Sequence, residues 1–211
     1  SEESDDLERM TDVIVRQTND LRHIIDEFSK FARLPQPKKS KEDLIPIVKA
    51  AVLLQENGQP NINFVSNIPQ NSLVISIDAT MISQALTNLL KNAGEAIDTR
   101  RDKLGGTIAG EIHVGVEQVG DNVQVIIDDN GIGLPQDRAR LFEPYVTTRD
   151  KGTGLGLAIV KKIVEEYGGT LSLEDAPSFD AAPYFGARVV MSLPFLSEEQ
   201  DENTKGKQTD G

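Results

Sequence analysis

Residues 152–169 read GTGLGLAIVKKIVEEYGG, with Gly152, Gly154 and Gly156 at every second position ahead of an amphipathic run. A chain that gives up side chains so regularly brings its backbone close to something. A phosphate group, a dinucleotide and a tight turn are the three readings. A dinucleotide fingerprint needs G-x-G-x-x-G after a strand in a βαβ unit, and a P-loop needs Gly-Lys-Ser/Thr. Neither pattern is present, and a polar loop leads in where a strand would be required. The periodicity of 153–167 predicts a helix, and the free N–H groups at its start make a natural phosphate site.

Outward from this stretch, strands come in adjacent pairs as well as alternating with helices. Residues 44–56 and 79–99 read as helices, and 62–66, 73–77, 111–118, 122–128, 170–174 and 187–193 as strands, with GDN turning the chain between 118 and 122. This order argues against a doubly wound parallel sheet. It predicts an α+β, two-layer sandwich of a mixed β-sheet with helices on one face, preceded by one long helix. That first helix covers 5–33, where Leu7, Ile14, Leu21 and Phe28 recur every seven residues beside Met10, Ile25 and Ala32. Its stripe needs a partner helix, in this chain or another; the alternative is a helix folded back on its own domain. Pro35 and Pro37 end it. The expected organisation is a helical segment over 1–36, a polar linker over 37–43, a main domain over 44–195 and a disordered acidic tail over 196–211.

The composition excludes several classes. The 211 residues include no cysteine, so disulfides and thiolate metal sites are ruled out, and two histidines are too few for a histidine-rich metal site. A net charge of −12 without a basic stripe excludes nucleic acid as the expected partner. No run approaches the ~20 apolar residues that span a bilayer.

Two more elements carry chemistry. In ISQALTNLLKNAGEAI, Ile82, Ala85, Leu86, Leu89, Ala93, Ala96 and Ile97 form a core stripe. Asn88 and Asn92, spaced i,i+4, share another face with Glu95. Asparagine is a middling helix former, so a stacked pair is either two solvated amides or a pair of hard oxygen ligands, suited to Mg²⁺ shared with phosphates. In VQVIIDDNGIGLP, an apolar strand ends at Asp128–Asp129, and Gly131 and Gly133 allow a sharp exit. Asp129 there is either part of an ordinary acidic turn or an acceptor for the exocyclic amine of a purine.

The order of these boxes is more specific than any one of them. Asn88-x-x-x-Asn92-Ala on a helix, Asp129-x-Gly131-x-Gly133 after a strand, Phe142-Glu-Pro, then Gly152-x-Gly154-x-Gly156 before a helix resembles the ATP-binding domain of sensor histidine kinases. That family shares the Bergerat fold with gyrase B, MutL and heat-shock chaperone ATPases, and the likeness covers about residues 40–195. Helix 5–33 with FARLPQP is similar to the second helix of the dimerisation and phosphotransfer hairpin. NLLKNAGEAI and LFEPYVTTRDKGTGLGLAIVKKIVEEYGG look most like the nitrogen-regulation branch, of NtrB and NtrY type.

The resemblance implies roles by position. Asn92, assisted by Asn88, holds Mg²⁺ bridging the ATP phosphates. Asp129 reads the adenine amine, with Gly131 and Gly133 making room. Gly152, Thr153, Gly154, Leu155 and Gly156 pass the backbone by the phosphates, and residues 134–151 form a lid anchored by Phe142. Arg149 and Lys151 are candidates for phosphate contacts. ATP-hydrolysing relatives carry a glutamate where Asn88 stands, and an amide cannot act as a general base; Glu95 is a substitute lying one turn away. Many of these kinases have Lys at position 95, and the wider family often has Thr at Ala187. His23 precedes Ile24 and Ile25, unlike a phospho-acceptor motif, and reads as structural; His113 reads as an outward-facing strand residue. The acceptor histidine is then expected upstream, with a response-regulator receiver domain and a hairpin-mediated homodimer as partners. The implied location is the cytoplasmic portion of a membrane-anchored sensor. A hydrolytic ATPase, a serine kinase of anti-sigma type, and a nucleotide-free scaffold are the rival readings.

Overall fold

The structure is a computed structural model, and it describes residues 2–32, 36–104, 108–147, 153–177, 179 and 186–195. Twelve elements follow in order: α1 (Glu2–Ala32), β1 (Ser40–Asp43), α2 (Leu44–Gly58), β2 (Ile62–Asn67), β3 (Val74–Ile77), α3 (Ala79–Leu104), β4 (Gly110–Val119), β5 (Asn122–Asp129), the 3₁₀ turn η1 (Ala139–Phe142), α4 (Gly156–Glu166), β6 (Thr170–Asp175) and β7 (Ala187–Pro194). Five strands form one mixed sheet in the order β2-β4-β5-β7-β6. β2 runs parallel to β4 and the other neighbours are antiparallel.

Alternation along the strands decides which face is covered. Ile112, Val114 and Val116 of β4, Val123, Val125 and Ile127 of β5, and Met191 and Leu193 of β7 are buried, while the residues between them are half-exposed. Helices α2, α3 and α4 supply the opposing layer. The expected stripe on α3, from Ile82 through Ile97, is buried throughout and continues through Leu90. On α4, Ala158, Ile159, Val160, Ile163 and Val164 face the sheet. His113 lies on the outer face, paired with Glu111 and with its ring 4.6 Å from that of Phe179.

Residues 37–43 are not all linker. Ser40–Asp43 form β1, which pairs antiparallel with β3 from Ser40↔Ile77 to Asp43↔Val74. Hydrophobic alternation could not show this strand, because SKED holds no apolar residue; main-chain pairing makes it. Asp43 then ends the strand and starts α2, its Oδ1 accepting from the Ile45 amide at 3.1 Å and the Leu73 amide at 3.0 Å. Asp78 caps α3 in the same way, with Oδ1 accepting from Thr80 and Met81 and Oδ2 from the Lys38 amide at 3.0 Å. Lys39 donates its Nζ to the Glu166 carbonyl at 2.7 Å, at the end of α4, and lies 5.2 Å from the Tyr167 ring centre. The Tyr167 hydroxyl accepts from the Asp78 amide, which ties the end of α4 to the start of α3.

Helix α4 begins at Gly156, not at 153 as the periodicity predicts, because Gly154 has φ 68° and cannot join a right-handed helix. The stripe on α1 is exposed at Met10, Ile14, Leu21, Ile25 and Phe28, so the helix does not fold back on its own domain. The expected tail over 196–211 lies outside the described residues.

The two capping carboxylates make the fold acid-sensitive. Burial alone would raise the Asp43 carboxyl, but the Leu73 and Ile45 amides outweigh it and hold it below its ordinary 3.8. The Lys38 amide leads the same effect at Asp78, against burial and together with Met81 and Thr80. A carboxylate with a depressed folded pKa stabilises fully above the unfolded value and loses that contribution as pH falls through the folded one. Urea unfolding of an Asp43→Asn/Asp78→Asn variant, followed from about pH 5 to about pH 3, is expected to show a flatter acid limb than the parent chain.

Candidate nucleotide-binding cleft

One cleft of about 250 Å³ opens between α3, the carboxyl end of β5, the start of β7 and the segment leading into α4. Asn88, Asn92, Glu95, Ala96, Thr99 and Lys103 line it from α3, a stripe at i+4, i+7, i+8, i+11 and i+15 from Asn88. Asp129, Gly133, Thr153, Gly154 and Gly156 line it from the other elements, with Leu173, Ala187 and Val189 as an apolar wall. Seven of the residues singled out from sequence thus meet in one place: Asn88, Asn92, Asp129, Gly133, Thr153, Gly154 and Gly156.

Asp129 is 3% exposed, at the end of a strand whose residues on the same face, Val123, Val125 and Ile127, are buried in the core. Its Oδ1 accepts from the Gly131 amide at 2.8 Å and, more weakly, from the Ala187 amide at 3.4 Å. A buried carboxylate held by backbone amides is fixed in direction. Its neighbour Asp128 serves another purpose: it turns to the outer face and binds Arg188 in a bidentate pair at 2.7 and 2.8 Å.

The amino end of α4 is built differently from those of α2 and α3. Its N-cap is Leu155, no side chain caps it, and its first turn holds no acidic residue. The amides of that turn are left for an anion. The Asn92 amide group sits beside it, since a Cβ on Gly156 would lie 3.6–3.8 Å from Asn92 Nδ2 and Oδ1. Two hard amide oxygens on α3, facing an uncapped helix start, suit Mg²⁺ held jointly with phosphates. Among the described residues no cluster of His, Cys, Asp and Glu competes for that role.

Three expected contacts are placed otherwise. Leu155 is fully buried in the core rather than facing the cleft, because it closes the apolar layer just before α4 begins. Gly131 packs on α3: a Cβ there would lie 2.6 Å from the Ala96 carbonyl carbon, so its bareness serves helix contact and not room for a base. Phe142 rests against α4, with Lys161 Nζ 5.2 Å from its ring centre, and does not line the cleft. Glu95 lines the cleft and pairs with Lys91 at 3.8 Å. Arg149, Lys151 and Gly152 lie outside the described residues.

The segment between β5 and α4 is held at Arg138 and at Tyr145. Arg138 grips Asp175 at the end of β6 with two 2.7 Å bonds. Tyr145 donates its amide to the Gly154 carbonyl at 3.1 Å and takes φ 66°, an uncommon conformation for a non-glycine residue. Gly154 is required there, because a Cβ would meet the Tyr145 backbone at 2.6 Å. Sequence reasoning did not single out Thr99 and Lys103, although the helical repeat from Asn88 points to them. Leu173 and Val189 had no signal, since only the strand order brings them under Asp129.

Residues 77–197 match the family described as histidine kinase-, DNA gyrase B- and HSP90-like ATPase, and the chain belongs to that family. The nitrogen regulation protein NtrY of Azorhizobium caulinodans is 48% identical over 172 residues, 81% of this chain and 22% of that protein. A putative NtrY-like sensor histidine kinase of Rickettsia felis is 41% identical over 174 residues, 81% of this chain and 28% of that one. The chain therefore spans about a quarter of these relatives' length. Among solved structures, the catalytic domain of the histidine kinase ThkA superposes with a TM-score of 0.62 at 28% identity, over 75% of this chain and 96% of that domain.

The glycines separate by what surrounds them. Gly131→Ala and Gly154→Ala each force a Cβ into backbone within 2.6 Å, whereas Gly156→Ala meets only ordinary contacts at 3.6 Å. Thermal unfolding is expected to fall by several degrees for the first two, about 1–3 kcal/mol each, and to change least for the third.

Proposed function

We propose that this chain is the ATP-binding catalytic part of a sensor histidine kinase of the nitrogen-regulation type. It presents Mg-ATP for transfer of the γ-phosphate to a histidine outside residues 1–211, and from there to an aspartate of a response regulator. The observation that carries the reading is the convergence of Asn88, Asn92, Asp129 and the start of α4 on one cleft, in a chain of this ATPase family. Asp129 takes the adenine amine, with Ala187, Val189 and Leu173 around the base. Asn92 and Asn88 hold the Mg²⁺, which when bound neutralises phosphate charge, and the amides of Thr153, Gly154 and Gly156 receive the phosphates. The lid charges Arg149 and Lys151 add phosphate contacts.

Asn88 occupies the position where hydrolytic relatives place a carboxylate, and an amide does not take a proton from water. ATP is thus held for a phospho-acceptor rather than hydrolysed. The exposed stripe of α1 supports a homodimer through the hairpin, and the proposed setting is the cytoplasmic portion of a membrane-anchored sensor. No helix among the described residues is long and apolar enough to cross a membrane. ThkA has a solved complex with the response regulator protein TrrA, which supports a receiver domain as the downstream partner here.

Titration calorimetry tests the nucleotide site directly. The chain is expected to bind ADP and ATP more tightly with Mg²⁺ than with EDTA. Asn92→Ala should abolish the Mg²⁺ dependence, and Asp129→Asn should weaken binding at least tenfold, about 1.4 kcal/mol. Absence of nucleotide binding in the parent chain would favour a scaffold, and steady phosphate release that depends on Glu95 would favour a hydrolytic ATPase.

A further inference from the structure

Arg100 lies on α3, 5% exposed, one turn beyond Ala96, and it is not among the residues that line the cleft. A buried guanidinium is retained only where it is bonded, and its Nη1 donates to the Asn130 carbonyl at 2.6 Å. That carbonyl belongs to the same peptide unit as the Gly131 amide, which donates to Asp129 Oδ1 at 2.8 Å. In a planar trans peptide the C=O and N–H point in opposite directions. A guanidinium fixed on one side therefore fixes the amide that reaches the carboxylate on the other.

The peptide needs such a hold. Asn-Gly is a place where a peptide unit turns over cheaply, because glycine accepts either sign of φ. Turned over, the unit would present a carbonyl to the Asp129 carboxylate in place of an N–H. The Asn130 side chain does not prevent this. It is spent on β4, with Oδ1 accepting from the Glu111 amide at 2.9 Å and Nδ2 donating to the Ala109 carbonyl at 2.8 Å, and it fixes the residue without fixing the peptide beyond it. The positive charge on the carbonyl also polarises the unit and strengthens the donor on its far side.

We propose that Arg100 is a positioning residue for base recognition: by holding the 130–131 peptide it aims the Asp129 carboxylate, and so sets the preference for a purine with a 6-amino group over one with a 6-oxo group. This rests on the nucleotide reading of the cleft. A carboxylate accepts from the amine of adenine and repels the oxygen of hypoxanthine, so the ratio of ADP to IDP affinity reports its aim. A merely structural arginine would weaken both ligands together and leave the ratio unchanged.

The experiment is calorimetric titration of the 211-residue chain with Mg-ADP and Mg-IDP, for the parent chain and for Arg100→Met, Arg100→Lys and Arg100→Gln. The parent chain is expected to prefer ADP. In Arg100→Met the ratio is expected to fall about tenfold through the loss of one charge-assisted hydrogen bond, with IDP binding little changed. Arg100→Lys, which keeps a cationic donor, should recover most of the ratio. An unchanged ratio in Arg100→Met overturns the proposal; should that variant not fold, an unchanged ratio in Arg100→Gln does so. A parent chain that binds neither nucleotide overturns the underlying reading of the cleft, a result distinct from binding without altered selectivity.

Discussion

The cleft depends on how closely the turn from Asp129 to Ile132 approaches α3. Ile132 donates its amide to the Ala96 carbonyl at 3.1 Å, and Gly131 lies so near the helix backbone that no side chain fits between. This contact joins the end of the central strand to the middle of the longest helix of the layered domain. It sets the separation between Asp129 on the sheet side and Asn88 and Asn92 on the helix side. The remaining walls are placed from the same frame: β7 lies beside β5 and brings Ala187 under the carboxylate, while α4 packs along α3 and brings its uncapped start beside Asn92.

Charge is handled by geometry in this acidic chain. Of two adjacent aspartates at the end of β5, alternation sends one to the outer face, where Arg188 neutralises it, and the other to the cleft, where amides hold it. Asp43 and Asp78 are likewise occupied as helix caps. The start of α4 has no such side chain, so its electrostatic potential remains available to a polyanion that the protein's net charge of −12 would otherwise repel.

Much of this was legible in the sequence because it rests on periodicity. The stripe from Ile82 to Ile97 and the alternation of β4 and β5 placed the layers, and the i,i+4 spacing of Asn88 and Asn92 placed both amides on one face. What was hidden rests on contacts between distant segments. β1 contains nothing apolar and exists through its pairing with β3. Gly131 looked like room for a ligand, yet its bareness is explained by Ala96, thirty-five residues earlier in the chain. Leu155 sits between two glycines of a phosphate-like motif but faces the core, since the helix begins three residues later than periodicity suggests. Arg100 carries no signal in the sequence, and only the folded chain shows a carbonyl across from it.

The path by which the chain enters the layered domain has a mechanical meaning. Lys38 is fastened to Asp78 at the beginning of α3, and Lys39 to the Glu166 carbonyl at the end of α4, while Tyr167 bridges the two attachment points. The walls of the cleft are the same two helices, farther along their lengths. Residues 38 and 39 are therefore bonded to both rods at once, at ends remote from the side chains that line the cleft. The cleft is strung between two anchors, and the segment arriving from α1 holds the common end.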